Sequence, residues 1–338
     1  MDHTSNPGEW QGPDPHEAKQ YGDASAAEGK LAHASSWYIR GLDFAEKGPD
    51  PEILGQLRHA MGDLHSRLRN VPAARHWYEL SMLAEGRQPS AGMANSTHMA
   101  AYCRFLQSEF AEAFEWFERA ANMKQYLCGE PVDNENVGQS LQMAGFAQAR
   151  LGNLDGAQDW LARAAAAKEK GDTTGRFDGT SVGMAYHLSG DLYFAQQKYD
   201  EALAQLERAA AAKERGNVDG KVDWSNVALS HELGGFTHLR RRDFAAALPW
   251  WERAAAAAEK GDLYGRVDDE ALCRALRFVG TCHARQGALA RPASVAEGVV
   301  ADLPGELAAE LVRAALAQVV VGLGGQLGED LLQLVVGV

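Results

Sequence analysis

Several short motifs in this chain have residue types and spacings suited to chemistry. Gly179-Thr180-Ser181-Val182-Gly183 is a formal G-x-S-x-G match, the pattern of a nucleophile elbow. Such an elbow holds its serine on a sharp turn between a strand and a helix, beside a base and oxyanion donors. No strand pattern precedes Ser181, and the positions 45 and 90 residues on are Asn226 and Ala271, so the match reads as coincidence. Gly216 to Val222, GNVDGKV, suggests a phosphate loop, but Lys221 comes one residue early and Val222 replaces the hydroxyl that would reach Mg²⁺. Only Asn217 and Asp219 approach the alternating oxygen ligands of a calcium loop. Eleven histidines include no H-E-x-x-H and no pair at i, i+4. His59, His65, His187, His231 and His238 therefore read as satisfied or surface side chains on helices. Cys103, Cys128, Cys273 and Cys282 form no C-x-x-C pair, so neither a metal site nor a disulfide framework is expected. No cofactor is implied.

These fragments sit on a repeat. Ala164 to Gly171 (AAAAKEKG), Ala209 to Gly216 (AAAAKERG) and Ala254 to Gly261 (AAAAAEKG) recur at a step of 45 residues, as do Gly145, Gly190, Gly235 and Gly280. The same column continues backwards through Ala101, Gly62 and Gly22 at steps of 44, 39 and 40. A period of this length means a stacked array, in which each repeat buries its apolar face only against its neighbours. Within one repeat, Ala185, Leu188 and Leu192 fall at helical spacing, Gln197-Lys198 interrupts, and Tyr199, Ala202, Leu203 and Leu206 resume it. Asp133, Asp178, Asp223 and Asp268 are placed as N-caps. Residues before and four after each, such as Phe177 with Val182 and Val222 with Val227, have the pattern of a hydrophobic staple. Gly171, Gly216 and Gly261 suit a positive-φ helix exit.

Composition narrows the function classes. Thirty-three Lys and Arg against 46 Asp and Glu leave a formal charge of −13, against a nucleic-acid coat or a membrane-surface helix. No secretory signal pattern opens the chain and no run reaches a membrane span, so a reduced, cytoplasmic protein is expected. The aromatic column Trp37, Trp77, Trp116, Trp160 and Trp250 reads as packing between helix pairs. Arg240, Arg241, Arg242, Arg274, Arg277 and Arg285 make the later repeats locally basic.

Residues 185–212, AYHLSGDLYFAQQKYDEALAQLERAAAA, resemble a tetratricopeptide repeat (TPR): a glycine, an aromatic three on, another nine on, and alanines twelve and nineteen on. Residues 141–165 and 231–255 are similar, and the W-x-x-R-A-A endings also resemble Sel1-like repeats. The resemblance covers about four fifths of the chain, although its repeats of 39 to 45 residues exceed the family's usual 34. It implies an all-α, right-handed α-solenoid of about seven antiparallel helix pairs over residues 16–290, after a disordered tail at 1–15. Residues 291–338 lose the pattern and contain no Lys or aromatic residue; they read either as capping helices or as the product of a shifted reading frame.

In such repeats the first helix of each pair lines a concave groove, and contacts come from residues three before and one, four and five after the glycine column. Carried over singly, this gives His98 and Tyr102; Gln142, Phe146, Ala149 and Arg150; His187, Asp191 and Phe194; Glu232, Phe236, Leu239 and Arg240; and Arg277, Thr281 and Arg285. The Lys and Asn pattern of the family's carboxylate clamp is missing. The expectation is a non-catalytic scaffold that holds a protein or peptide in its groove, with neither nucleic acid nor membrane as partner. Two alternatives stay open: a regulator whose repeats respond to a peptide, and an all-α enzyme using His187, Asp191 and Glu232 as acid and base groups.

Overall fold

A computed structural model describes residues 14–84, 90–126 and 132–289. The expected C-terminal segment, 291–338, and the first thirteen residues of the expected N-terminal tail lie outside them; Asp14 and Pro15 cap and begin the first helix.

Among the described residues every regular element is an α-helix. The N-terminal unit holds α1 (Pro15–Ala27), α2 (Leu31–Ala45), α3 (Pro51–Arg67), α4 (Val71–Ala84), α5 (Ala91–Leu106) and α6 (Phe110–Tyr126). The C-terminal unit holds α7 (Asn134–Arg150), α8 (Leu154–Lys168), α9 (Gly179–Ala195), α10 (Tyr199–Lys213), α11 (Trp224–Arg240), α12 (Phe244–Lys260) and α13 (Asp269–Leu289). Among the described residues they pair as six helical hairpins, with α13 packed on α12.

The repeat's local chemistry explains the hairpins. Asp133, Asp178 and Asp223 accept from the backbone N–H groups of Asn136, Ser181 and Asn226, satisfying amides that the first turn leaves unpaired. Phe177 packs beside Val182 and Val222 beside Val227, closing the two staples. The turn inside each hairpin runs through one left-handed residue, at Gly29, Arg69, Ser108, Gly152, Gln197 and Arg242. Gly171 adopts a φ of 80°, and a Cβ there would stand 2.5 Å from the Arg176 carbonyl oxygen, so no other residue fits this connector without strain.

The glycine column is a packing device. A Cβ at Gly22, Gly62 or Gly235 would stand 2.3, 2.5 or 2.6 Å from Tyr38, Tyr78 or Trp251 of the paired second helix. Its absence lets the helices close over the buried column Tyr38, Tyr78, Phe117, Leu161, Leu206 and Trp251. The neighbouring tryptophans are capped by arginines three residues on: Arg40, Arg163 and Arg253 lie 5.1, 3.9 and 4.4 Å from the ring centres of Trp37, Trp160 and Trp250.

Candidate binding recess

The first helices of the N-terminal unit, α1, α3 and α5, with Tyr38 of α2, enclose an open recess of about 450 Å³. Its walls include Lys19 and Asp23 from α1, Gln56, His59, Asp63 and Arg67 from α3, and Asn95 and Ser96 from α5, over a floor of Tyr38, Ala60 and Leu64. Three, one and five residues around Gly62 are His59, Asp63 and Arg67; around Gly22 the same offsets give Lys19, Asp23 and Ala27. The contact columns implied by the repeat resemblance thus line one cavity, in repeats earlier than those first singled out.

Helix pairing fixes these side chains. Tyr38, reaching across its hairpin, donates its hydroxyl to Asp23 Oδ1 (2.9 Å), and Tyr78 does the same to Asp63 Oδ1 (2.7 Å). Burial first, and then the carboxylate, push both phenols well above their ordinary range, so each stays a donor. Lys19 Nζ pairs with Asp23 Oδ2 at 2.6 Å, and Arg67 Nη1 donates to the Ala26 carbonyl at 2.8 Å. His59 Nδ1 lies 2.9 Å from Ser96 Oγ and its Nε2 3.7 Å from Asp63. Ser96 in turn contacts Ser81 Oγ (2.9 Å), which donates to the Gly55 carbonyl.

A His, an Asp and a Ser in series invite comparison with a hydrolase triad. Ser96 is fully buried in the middle of α5, where neighbouring amides are committed to helix hydrogen bonds and supply no oxyanion donor. Ser181 of the G-x-S-x-G motif lies in the first turn of α9, its amide on the Asp178 cap and its hydroxyl donated to Glu135, with no strand before it.

The sequence-predicted groove residues lie as follows. Gln142, Phe146, His187, Glu232 and Phe236 are buried; His98, Tyr102, Arg150, Asp191, Phe194 and Arg285 are half-buried; Arg240 and Arg277 are exposed. Phe236 packs edge-on against Trp251 and Phe278 at 4.6 and 5.1 Å between ring centres, which accounts for its burial. The carboxylate of Glu232 is held by Arg274, Nη2 to Oε1 at 3.1 Å; burial raises its pKa, against the pull of the guanidinium. His98 and His187 are held well below their ordinary range by burial and, secondarily, by Lys124 and Lys213.

His187, Asp191 and Ser230 repeat the His59, Asp63 and Ser96 arrangement: His187 Nδ1 lies 3.1 Å from Ser230 Oγ, and Nε2 3.7 Å from Asp191. This copy is closed. Lys213 rises from α10 over Gly183 and donates to Ser230 Oγ and to the Asn226 carbonyl, both at 2.9 Å. One repeat earlier Lys168 does likewise over Gly138, reaching Gln142 Oε1 at 2.7 Å and Ser181 Oγ at 2.8 Å. Burial lowers Lys213 to about 7 and raises Asp191 to about 7, the facing opposite charge opposing each shift.

Among the described residues no group of three or more His, Cys, Asp or Glu is placed to hold a metal ion, and no helix is long and apolar enough to cross a membrane.

No model of a known protein family matches the sequence, and no curated protein matches it. Solved structures do. The apo form of RapI is similar at a TM-score of 0.53 and 12% identity, over 80% of this chain and 97% of that one. BtubC from P. vanneervenii is similar at 0.52 and 16%, over 72% and 89%. PilF of Pseudomonas aeruginosa is similar at 0.50 and 13%, over 72% and 90%. The described chain is an all-α array of helical hairpins with the tetratricopeptide-like fold these structures share.

Proposed function

We propose that this protein is a non-catalytic binding module that holds a peptide segment of a partner protein in the recess of its N-terminal unit. The observation that carries this reading is the recess itself. It is open, of ligand size, walled by polar groups and floored by apolar ones, as ligand sites are. It also lies at the positions through which the resembling repeats meet their ligands. Among the described residues the side-chain amide of Asn95 has no hydrogen-bond partner, so it offers one donor group and one acceptor, the complement of a peptide unit. A scaffold role without chemistry is supported by the mid-helical setting of Ser96 and by the closure of the His187 copy.

A display selection tests the proposal. A random dodecapeptide library is panned on the immobilised full chain and, in parallel, on an Asn95→Trp variant whose indole fills the recess. The expected outcome is a family of sequences enriched on the natural chain and lost on the variant. Enrichment of the same sequences on both, or of none on either, would remove the recess as a peptide site.

A further inference from the structure

The two His-Asp-Ser arrangements differ by one group, and that group identifies the ligand chemistry of the open one. In the closed copy the carboxylate of Asp191 is faced by the protein's own ammonium, Lys213, whose stem passes Gly183 and whose head donates to Ser230. In the open copy the glycine is kept as Gly55, the histidine as His59, the carboxylate as Asp63 and the serine as Ser96. The lysine is not kept. Its column runs Lys213, Lys168, Lys124 at steps of 45 and 44, and 39 residues earlier stands Glu85, outside the described residues. Ser81 takes over the hydrogen bonds to Ser96 and to the Gly55 carbonyl.

Among the described residues Asp63 is left half-buried without a lysine or arginine within ion-pairing distance; its Oδ1 accepts from Tyr78, with His59 at 3.7 Å, and its Oδ2 makes no hydrogen bond. The other charges around the recess do not answer it. Lys19 is committed to Asp23, and Arg67, one turn beyond Asp63, turns to the Ala26 carbonyl. A carboxylate oriented in a recess, with only a histidine and no lysine or arginine of the described chain to pair with, favours a cation brought by the ligand, since pairing there is stronger than in bulk water.

From this juxtaposition we infer that the recess takes a basic side chain, a lysine or arginine of a peptide, whose cationic head meets Asp63 while Asn95 holds the adjoining peptide unit. The inference rests on the peptide-binding reading above and narrows it to one side-chain class.

The test uses the full chain and three synthetic probes, the amidated and acetylated peptides Gly-Ser-Lys-Ser-Gly, Gly-Ser-Gln-Ser-Gly and Gly-Ser-Glu-Ser-Gly, titrated calorimetrically at millimolar concentration. The lysine probe is expected to bind at least about tenfold more tightly than the glutamine probe, and the glutamate probe more weakly than either. Asp63→Asn, nearly isosteric, should abolish the preference, whereas Asp191→Asn, in the closed copy, should preserve it. Should Asp63→Asn fail to fold by circular dichroism, Asn95→Asp provides a second measure. Its added carboxylate should widen the preference for the lysine probe over the glutamine probe severalfold, the glutamine probe weakening as the Asn95 donor is lost. Equal binding of the lysine and glutamine probes, stronger binding of the glutamate probe, no binding of the lysine probe, or a preference that survives Asp63→Asn would each overturn the inference. The display selection keeps the two readings apart: recess-dependent enrichment of acidic or neutral peptides retains the binding module and discards the basic side chain.

Discussion

His59, Asp63 and Ser96 stand at the wall of an open recess, and His187, Asp191 and Ser230 in the same mutual arrangement are shut away. The histidine of the first set has 28% of its side chain exposed and that of the second 1%. The recurrence at both places, between the first helices of successive repeats, shows that the arrangement is a stacking contact of the repeat, and that access to it depends on what the second helix contributes. Where a lysine comes from that helix the space is occupied. Where a serine does, a cavity remains.

That contrast can be broken from either side. The largest effect is expected from Gly183→Val. A Cβ at this position would stand 2.4 Å from Lys213 Cγ and 2.7 Å from the Ala209 carbonyl oxygen, and the backbone cannot yield as the side chain can. Overpacking of this kind should destabilise the protein by about 3 kcal/mol in urea unfolding.

Next comes the charge that closes the second copy. Burial lowers Lys213 to about 7 in the folded state, well below the ordinary lysine range, so above neutrality the unfolded chain holds the proton that the folded one has released. Stability therefore rises with pH between 7 and 9.5, and below the folded value, where both states hold the proton, it levels off at its lower limit. The natural chain should gain about 2 kcal/mol over that interval relative to Lys213→Met, measured by urea unfolding at both pH values.

Tyr78→Phe acts on the open copy. It removes the hydroxyl that orients Asp63, and should cost about 1 kcal/mol of stability. It should also weaken the lysine probe severalfold, because a carboxylate free to turn pairs less well. The smallest effect is expected for Asp23→Asn, which loses the Lys19 pair at the partly exposed rim. Its change in thermal or urea stability should stay within about 0.5 kcal/mol.

The hairpins, their caps and the connector glycines were legible in the sequence because each follows from local chemistry repeated at a fixed step. Asp178 caps whether or not its neighbours are known, and Gly171 exits with positive φ for a reason contained within six residues. The site was only partly legible. Applied from Ala101 onward, the contact columns point to Gln142, Phe146, His187, Glu232 and Phe236, which the structure buries, alongside half-buried and exposed positions. Applied at Gly22 and Gly62 the same offsets reach Lys19, Asp23, His59, Asp63 and Arg67, all on the recess. One part of the difference was in the sequence, since the lysine column at 124, 168 and 213 has no lysine 39 residues earlier; it is not the whole signal, because Ala258 breaks the column 45 residues later, where Glu232 and Phe236 are buried all the same.

By itself the sequence determined the period, the helical pairs, the turn geometry and the candidate columns, since these depend on neighbours within one repeat. Only the tertiary structure decided which columns are open, because exposure depends on side chains that arrive from other helices. Lys213 lies 26 residues from His187 along the chain, yet it is Lys213, through Ser230 of a third helix, that closes the space around that histidine. Filling of space between helices is settled by packing, and a repeat pattern specifies the frame in which that packing occurs without specifying its outcome.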